Sequence, residues 1–202
     1  MELHSILPTL SLNDIDKSFI EIKKDGAVFD VPLQALLSPV TRPYGAWQDM
    51  QTQSAVANNT GIEMIYRTVD FENGISITAD PNSKMTKILF SKTGVYNLQF
   101  SAQFQNTDST EQDVTIWLRK NGYTSAADVQ GSSGYVSIPK NHGTGSPGHT
   151  VAGWNYYIQA NAGDFYQLMW STSLYTAVTM QYYAAGNPPP STASIILTVH
   201  QL

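Results

Sequence analysis

From Gly94 to Gln105 apolar and polar residues alternate without a break. Tyr96, Leu98, Phe100, Ala102 and Phe104 take one parity; Asn97, Gln99, Ser101, Gln103 and Gln105 take the other. A period of two predicts a β-strand with one face in a core. The same period returns in residues 113–122, where Val114, Ile116 and Leu118 share a face before an Asn-Gly turn. Residues 153–170 repeat it twice. Trp154, Tyr156 and Ile158 precede the turn Asn161-Ala162-Gly163-Asp164, and Tyr166, Leu168 and Trp170 follow it. Shorter strand-like runs lie at 62–67, 74–78, 87–90, 177–183 and 194–202, with a turn cluster, Asp80-Pro81-Asn82-Ser83-Lys84, between two of them. No stretch has amphipathic helical spacing of useful length. Short strands punctuated by Gly, Asn, Asp and Pro predict an all-β antiparallel sandwich or barrel over residues 44–202, less than about a tenth of it helical. Two segments read as long loops. Residues 125–149 are rich in Gly and Ser, and residues 184–193 carry Pro188, Pro189 and Pro190, which predict a stiff extended lead into the last strand.

The first 43 residues have a different pattern. Two short strand-like runs flank Asp25-Gly26, a hairpin turn signal because both residues tolerate positive φ. Ile20 and Ile22 share one face, with Phe29 and Val31 opposite them. A helical turn is expected at Leu33-Gln34-Ala35-Leu36-Leu37, and a hinge at Pro39 and Pro43. A lone hairpin is marginal in water. Residues 1–43 are therefore expected to dock on a neighbouring subunit or a larger assembly.

Composition sharpens this picture. Hydrophobic residues make up 42% of the 202 residues and charged residues 13%, against about 25% charged in ordinary globular chains. Polarity is carried by Ser, Thr, Asn and Gln. Two causes are open: a strand-rich structure, or a surface covered by partners, since interface cores are depleted in charge. A net charge of −5 argues against a nucleic-acid partner, which needs a basic stripe. The chain has no cysteine, hence no disulfide or thiolate site, which fits assembly in a reducing cytoplasm. The N-terminus lacks the basic region and apolar core of a secretory signal, and no apolar run nears the roughly 20 residues of a membrane span.

Candidate chemistry is sparse. His142 and His149 flank a Gly/Ser loop with no ligand spacing, so they are read as loop histidines and no metal site is expected. His200 is read as packed or interfacial. Asp108, Glu111 and Asp113 offer oxygens to calcium, but the segment reads as a solvated turn. No nucleophile stands beside a base, so neither a catalytic residue nor a cofactor is expected. Aromatics exceed what one core face needs. Tyr44, Trp47, Tyr123, Tyr135, Tyr157, Tyr175, Tyr182 and Tyr183 are candidate subunit contacts, or sugar-stacking groups in a receptor site.

Four motifs occur in a telling order: Gly94-Val95-Tyr96 opening a long strand, Leu118-Arg119-Lys120-Asn121-Gly122 ending one, the turn Ala162-Gly163-Asp164 before an aromatic-rich strand, and a last strand running to Leu202. Together they resemble the jelly-roll head domain of complement-head and tumour-necrosis-factor-like proteins. The stretches 94–108, 113–122 and 149–157 look like the version found in tailed-bacteriophage virion proteins, and residues 12–37 are similar to a hairpin module of phage tail-fibre-like proteins. The resemblance implies a homotrimer, a virion location after assembly in the host cytoplasm, and no catalytic residues. The leading reading is a tail fibre or fibre-tip protein acting in host attachment, with residues 1–43 docking on other virion proteins; a host surface glycan is the partner that the surplus aromatics leave open. A capsid decoration protein is the competing reading, because no collagen-like or coiled segment separates the two parts. A carbohydrate-active enzyme is the third.

Overall fold

A computed structural model of the chain describes residues 19–24, 27–32, 42–143, 145–186 and 188–202. The chain divides into two compact units, 1–41 and 42–202. In the first, β1 (Phe19–Lys24) and β2 (Ala27–Pro32) form an antiparallel pair. Ile20 stands opposite Val31 and Ile22 opposite Phe29 in its register. Asp25, Gly26, the expected helical turn at 33–37 and Pro39 lie outside the described residues.

The second unit is all-β. Over the described residues, 55% is strand and 2% helix, and the strands form antiparallel sheets. One sheet has eight strands: β3 (Tyr44–Asp49), β4 (Gln53–Ser54), β6 (Thr68–Asn73), β9 (Gly94–Asn106), β12 (Gly148–Ala152), β13 (Asn155–Ala160), β15 (Val178–Met180) and β16 (Ile195–Gln201). The long β9 is its spine. One edge pairs with β13 and then β12; the other pairs with β16 and then β15. Beyond β16 come β3 and β6. The other sheet has six strands: β5 (Ile62–Glu63), β7 (Ile75–Ala79), β8 (Met85–Phe90), β10 (Gln112–Lys120), β11 (Gly134–Ile138) and β14 (Phe165–Thr172). Here β14 lies between β10 and β8 and also receives β5.

The core lies where the inward parities of the two sheets meet. Tyr96, Leu98, Phe100, Ala102 and Phe104 of β9 are all buried, as are Val114, Ile116 and Leu118 of β10 and Tyr166, Leu168 and Trp170 of β14. Phe104 packs on Trp170 with ring centroids 5.5 Å apart, and Phe90 sits edge-on to both Tyr96 and Tyr166. Each such fully buried large side chain contributes about 1.5–3 kcal/mol of transfer free energy.

Three expectations require correction. Residues 125–149 are not one loop: they hold a short 3-10 turn at Ser125–Ala127, all of β11 and the start of β12. Thr115 and Val114 pair with Tyr135 and Val136, and that ladder outweighs the Gly/Ser content. Residues 62–67 form only a two-residue strand, because Met64 N–H bonds the Leu168 carbonyl of β14 while Tyr66 N–H bonds the Met85 carbonyl of β8, so the run is shared between two neighbours. The Pro188–Pro190 segment does not run extended. It turns, with a cis bond between Pro188 and Pro189, and Gly186 N–H donates to the Pro189 carbonyl.

Candidate functional site

The outward parity of β9 lies on an open sheet face. Asn97 is flanked by Tyr157 of β13 and His200 of β16, and Gln99 by Asn155 and Thr198. Ser101 neighbours Ile196, Gln103 neighbours Val151, and Gln105 lies between His149 and Thr179. No Asp, Glu, Lys or Arg occupies any of these positions. Four apolar groups on this face stay exposed: Tyr157 at 67%, Val151 at 59%, Val95 at 46% and Ile196 at 44%. The Gln99 and Gln103 amides make no side-chain hydrogen bond among the described residues, so their donors and acceptors are free for a partner. At one end, the Tyr183 hydroxyl lies 3.0 Å from Gln105 Oε1 and 2.9 Å from His149 Nδ1. Partial burial pushes the Tyr183 hydroxyl pKa up, so it stays a neutral donor.

The outer face of the six-stranded sheet is built differently. Strand β14 is buried on both faces: Gln167 and Met169 point outward by parity yet have no exposure. Trp117 stands opposite Met169 with its ring reaching Gly61, and Gln167 donates Nε2 to the buried Thr86 hydroxyl; two of the chain's own segments also extend this sheet at its edges. Residues 58–64 lie along β14, where Glu63 and Ile62 pair with Met169 and Trp170. Residues 121–133 fold back on β10, where buried Arg119 bonds the Asp128 carboxylate at 2.7 Å and Val129 N–H bonds the Leu118 carbonyl. Between these segments an open cleft of about 440 Å³ remains. Its floor is Thr115, Trp117 and Ser171. Its walls are Asn59 on one side and Asp128, Gln130 and Ser133 on the other, with Tyr135 at the rim. Gly61 lets the Trp117 indole lie against the segment 58–64, since a Cβ there would sit 2.6 Å from the ring.

Two motifs of the sequence meet at one end of the sandwich. Asn121 and Lys120, from the end of β10, both bond Asp164 of the Ala-Gly-Asp turn, at 2.7 and 2.9 Å. Asn161 N–H also donates to the Asp164 carboxylate, and Asn121 Oδ1 accepts from Phe165 N–H. These contacts, the Asn161 amide first, hold the Asp164 pKa down at about 2, and Asp164 in turn raises that of Lys120. Asn121 itself has a φ of 53° and Gly163 a φ of 89°, the left-handed values that asparagine and glycine tolerate best.

The predicted aromatics do not gather into one patch. Trp47 is the clear correction: it has no exposure and is no surface contact. It shares the inward parity of β3 with Gly45 and Asp49, pairs opposite Leu197, folds its ring over Gly45 and donates Nε1 to Glu72. Its neighbour Tyr44 takes the outward parity and meets Phe71 edge-on. Tyr123 stacks on Phe165 beyond the end of β10. Tyr175 lies in the turn between β14 and β15, its N–H bonded to Asn58. Tyr182 is half-buried, its N–H directed at Thr52. Tyr135 alone stands at the cleft, 80% exposed. Ile20, Ile22, Phe29 and Val31 lie on the separate hairpin. The Asp108 carboxylate is taken by Thr110 and Gln112, which lower its pKa, and no cluster of three or more His, Asp or Glu able to hold a metal exists among the described residues. The cleft residues Asn59, Trp117, Asp128 and Gln130 gave no sequence signal, because segments from distant parts of the chain bring them together. Among the described residues no helix is long and apolar enough to cross a membrane. No protein-family model matches the sequence, and no curated protein matches it.

Proposed function

We propose that the chain is a structural protein of a tailed-phage virion, a trimeric tail fibre or fibre-tip protein that contacts the host surface, with the second unit as a jelly-roll head and residues 1–43 as the attachment segment. The observation that supports it best is the uncharged outer face around β9, made by β9, β12, β13, β15 and β16. A face of this breadth with amides, exposed Tyr157 and Val151 and no ion is suited to burial against copies of itself, because amides are desolvated at far lower cost than charges. The separate hairpin unit supports the attachment role, since a two-stranded ribbon gains stability from a docking partner. Sedimentation equilibrium of the purified protein is expected to give a trimer; a monomer at micromolar concentration overturns that part. Immunogold labelling of particles is expected at the tail. Labelling over the head replaces the reading with a capsid decoration protein, which the direct succession of the two units, without an intervening fibrous sequence, also favours.

A further inference from the structure

We infer that the cleft on the outer face of the six-stranded sheet binds an uncharged saccharide, with Tyr135 and Trp117 taking the apolar face of a sugar ring and Asp128, Asn59 and Gln130 taking its hydroxyls. The inference supplies a ligand class for host attachment and rests on that reading for its biological setting.

The register places the aromatic groups. Tyr135 of β11 stands opposite Thr115 of β10, which stands opposite Ser171 of β14, so one row of the sheet floor reads tyrosine, threonine, serine. Trp117 follows Thr115 by two residues and shares its face, diagonal to Tyr135, a spacing within reach of aromatic side chains. The two rings therefore flank a polar floor. Tyr135 is 80% exposed in a strand whose other face packs on the core, an unfavourable place for an aromatic ring unless something covers it. The Trp117 Nε1–H is buried and finds no acceptor among the described residues, a donor that a ligand hydroxyl can satisfy after a small ring shift.

The polar groups are held ready. Asp128 spends one carboxylate oxygen on Arg119 Nε at 2.7 Å and leaves the other free to accept hydroxyls. The loop that carries it is pinned: Ser132 Oγ accepts Leu118 N–H and donates to the Val129 carbonyl, and the Tyr156 hydroxyl donates to the Ser132 carbonyl. Gly131, with a φ of 77°, closes the turn at its tip. A wall fixed in this way loses little freedom on binding. Charge selects the ligand class. The only ionic group lining the cleft is Asp128, already matched by Arg119, so an anionic sugar gains nothing and meets a carboxylate. A cleft of about 440 Å³ lies at the small end of ligand sites and suits one or two sugar rings.

The test uses the purified full chain and the methyl glycosides of glucose, galactose, mannose and N-acetylglucosamine, with a sialoside as the charged comparison. Tryptophan fluorescence is a local reporter here, because Trp47 and Trp170 are fully buried and Trp154 packs against the core. At least one neutral glycoside is expected to change the emission saturably, with a Kd on the order of 1 mM, and the sialoside more weakly. Tyr135→Ala and Gln130→Ala, both at exposed positions that leave the core intact, are each expected to weaken binding, the first by about tenfold. Phe71→Ala, on β6, is expected to leave binding unchanged. No saturable change with any neutral glycoside overturns the inference, as does equal binding by Tyr135→Ala. If Tyr135→Ala instead dissociates an oligomer while no glycoside binds, the cleft is a protein contact and the inference fails. Glycoside binding by a protein absent from particles supports the cleft while removing the attachment role; incorporation into tails without glycoside binding does the reverse.

Discussion

Strands β9 and β14 are the long central strands of their sheets, and they treat their outer faces in opposite ways. Every outward residue of β9 from Val95 to Gln105 is exposed or half-buried, whereas in β14 outward Gln167 and Met169 are sealed. The difference is made by the groups the chain brings against each face: the Trp117 ring, opposite Met169, reaches Gly61, and Gln167 bonds buried Thr86, whereas Gln99 and Gln103 of β9 make no side-chain hydrogen bond among the described residues. Where a sheet face is closed by its own chain, it can carry a buried Met, a buried amide and an ion pair. Where it is left open, this sequence uses amides and hydroxyls. An open face without charge is the economical preparation for a second, intermolecular closure, since only neutral groups must then lose water.

The comparison is broken most severely by placing the same new charge on each strand. Met169→Lys is expected to lose about 4 kcal/mol or to prevent folding, because the ammonium enters a site with no exposure, where the attraction of Glu63 opposite it does not repay the water it loses. Urea denaturation checks this, and an unchanged midpoint would show that the groups against it open freely. A smaller effect is expected at the motif junction between the sheets. Asp164 is a carboxylate with a depressed folded pKa of about 2, so its contribution is present above the unfolded value near 4 and is lost as pH falls from about 4 to 2. Asp164→Asn is expected to cost no more than about 1 kcal/mol at pH 7, because the junction is near solvent, and to flatten the stability profile over that acid window. Thermal melts at pH 7, 4 and 2 read both effects; a variant that keeps the wild-type acid slope would assign the slope elsewhere, with Asp108 titrating in the same direction. The smallest effect on stability is expected from Gln99→Lys, within about 0.5 kcal/mol at its exposed position. Yet, on the proposed assembly, it is expected to abolish the trimer in sedimentation. A variant that stays fully trimeric would place the subunit contact on another surface.

Much of the fold was legible because β9, β10, β13, β14 and β16 each bury one parity, and a period of two survives in sequence. The reading failed where burial follows from something other than parity. Met169 and Gln167 look like surface positions, and it is partners distant in sequence, Trp117 opposite Met169 and Thr86 bonded to Gln167, that meet them. Trp47 was read as a surface aromatic because β3 is short and Ala46 beside it is also buried, which hides the alternation. A bulge adds to this, with the register of β3 against β6 shifting between Ala46 and Trp47. β11 was hidden by glycine and serine that, in place, admit the Trp154 ring against Gly134 and cap the turn through Ser132. Of the cleft, only Tyr135 was visible in advance, as an aromatic without a core role. Its companions come from three separate segments, and proximity of that kind leaves no mark on local pattern.

The position of β16 has a consequence for how the molecule comes to be made. This strand lies between β9 and β3, yet it is the last of the described strands to emerge during synthesis. β3 must wait for about 145 residues after Asp49 before Ile195 arrives to pair with it, roughly 7–30 s at ordinary elongation rates. Until then β3 and β6 have no place in a closed sheet, and the apolar face of β9 has half of its neighbours. The nascent chain thus carries an unfinished sheet with open ladders throughout translation, a state prone to pairing with identical chains on the same message. That delay sets a competition between correct closure within one chain and premature pairing between several.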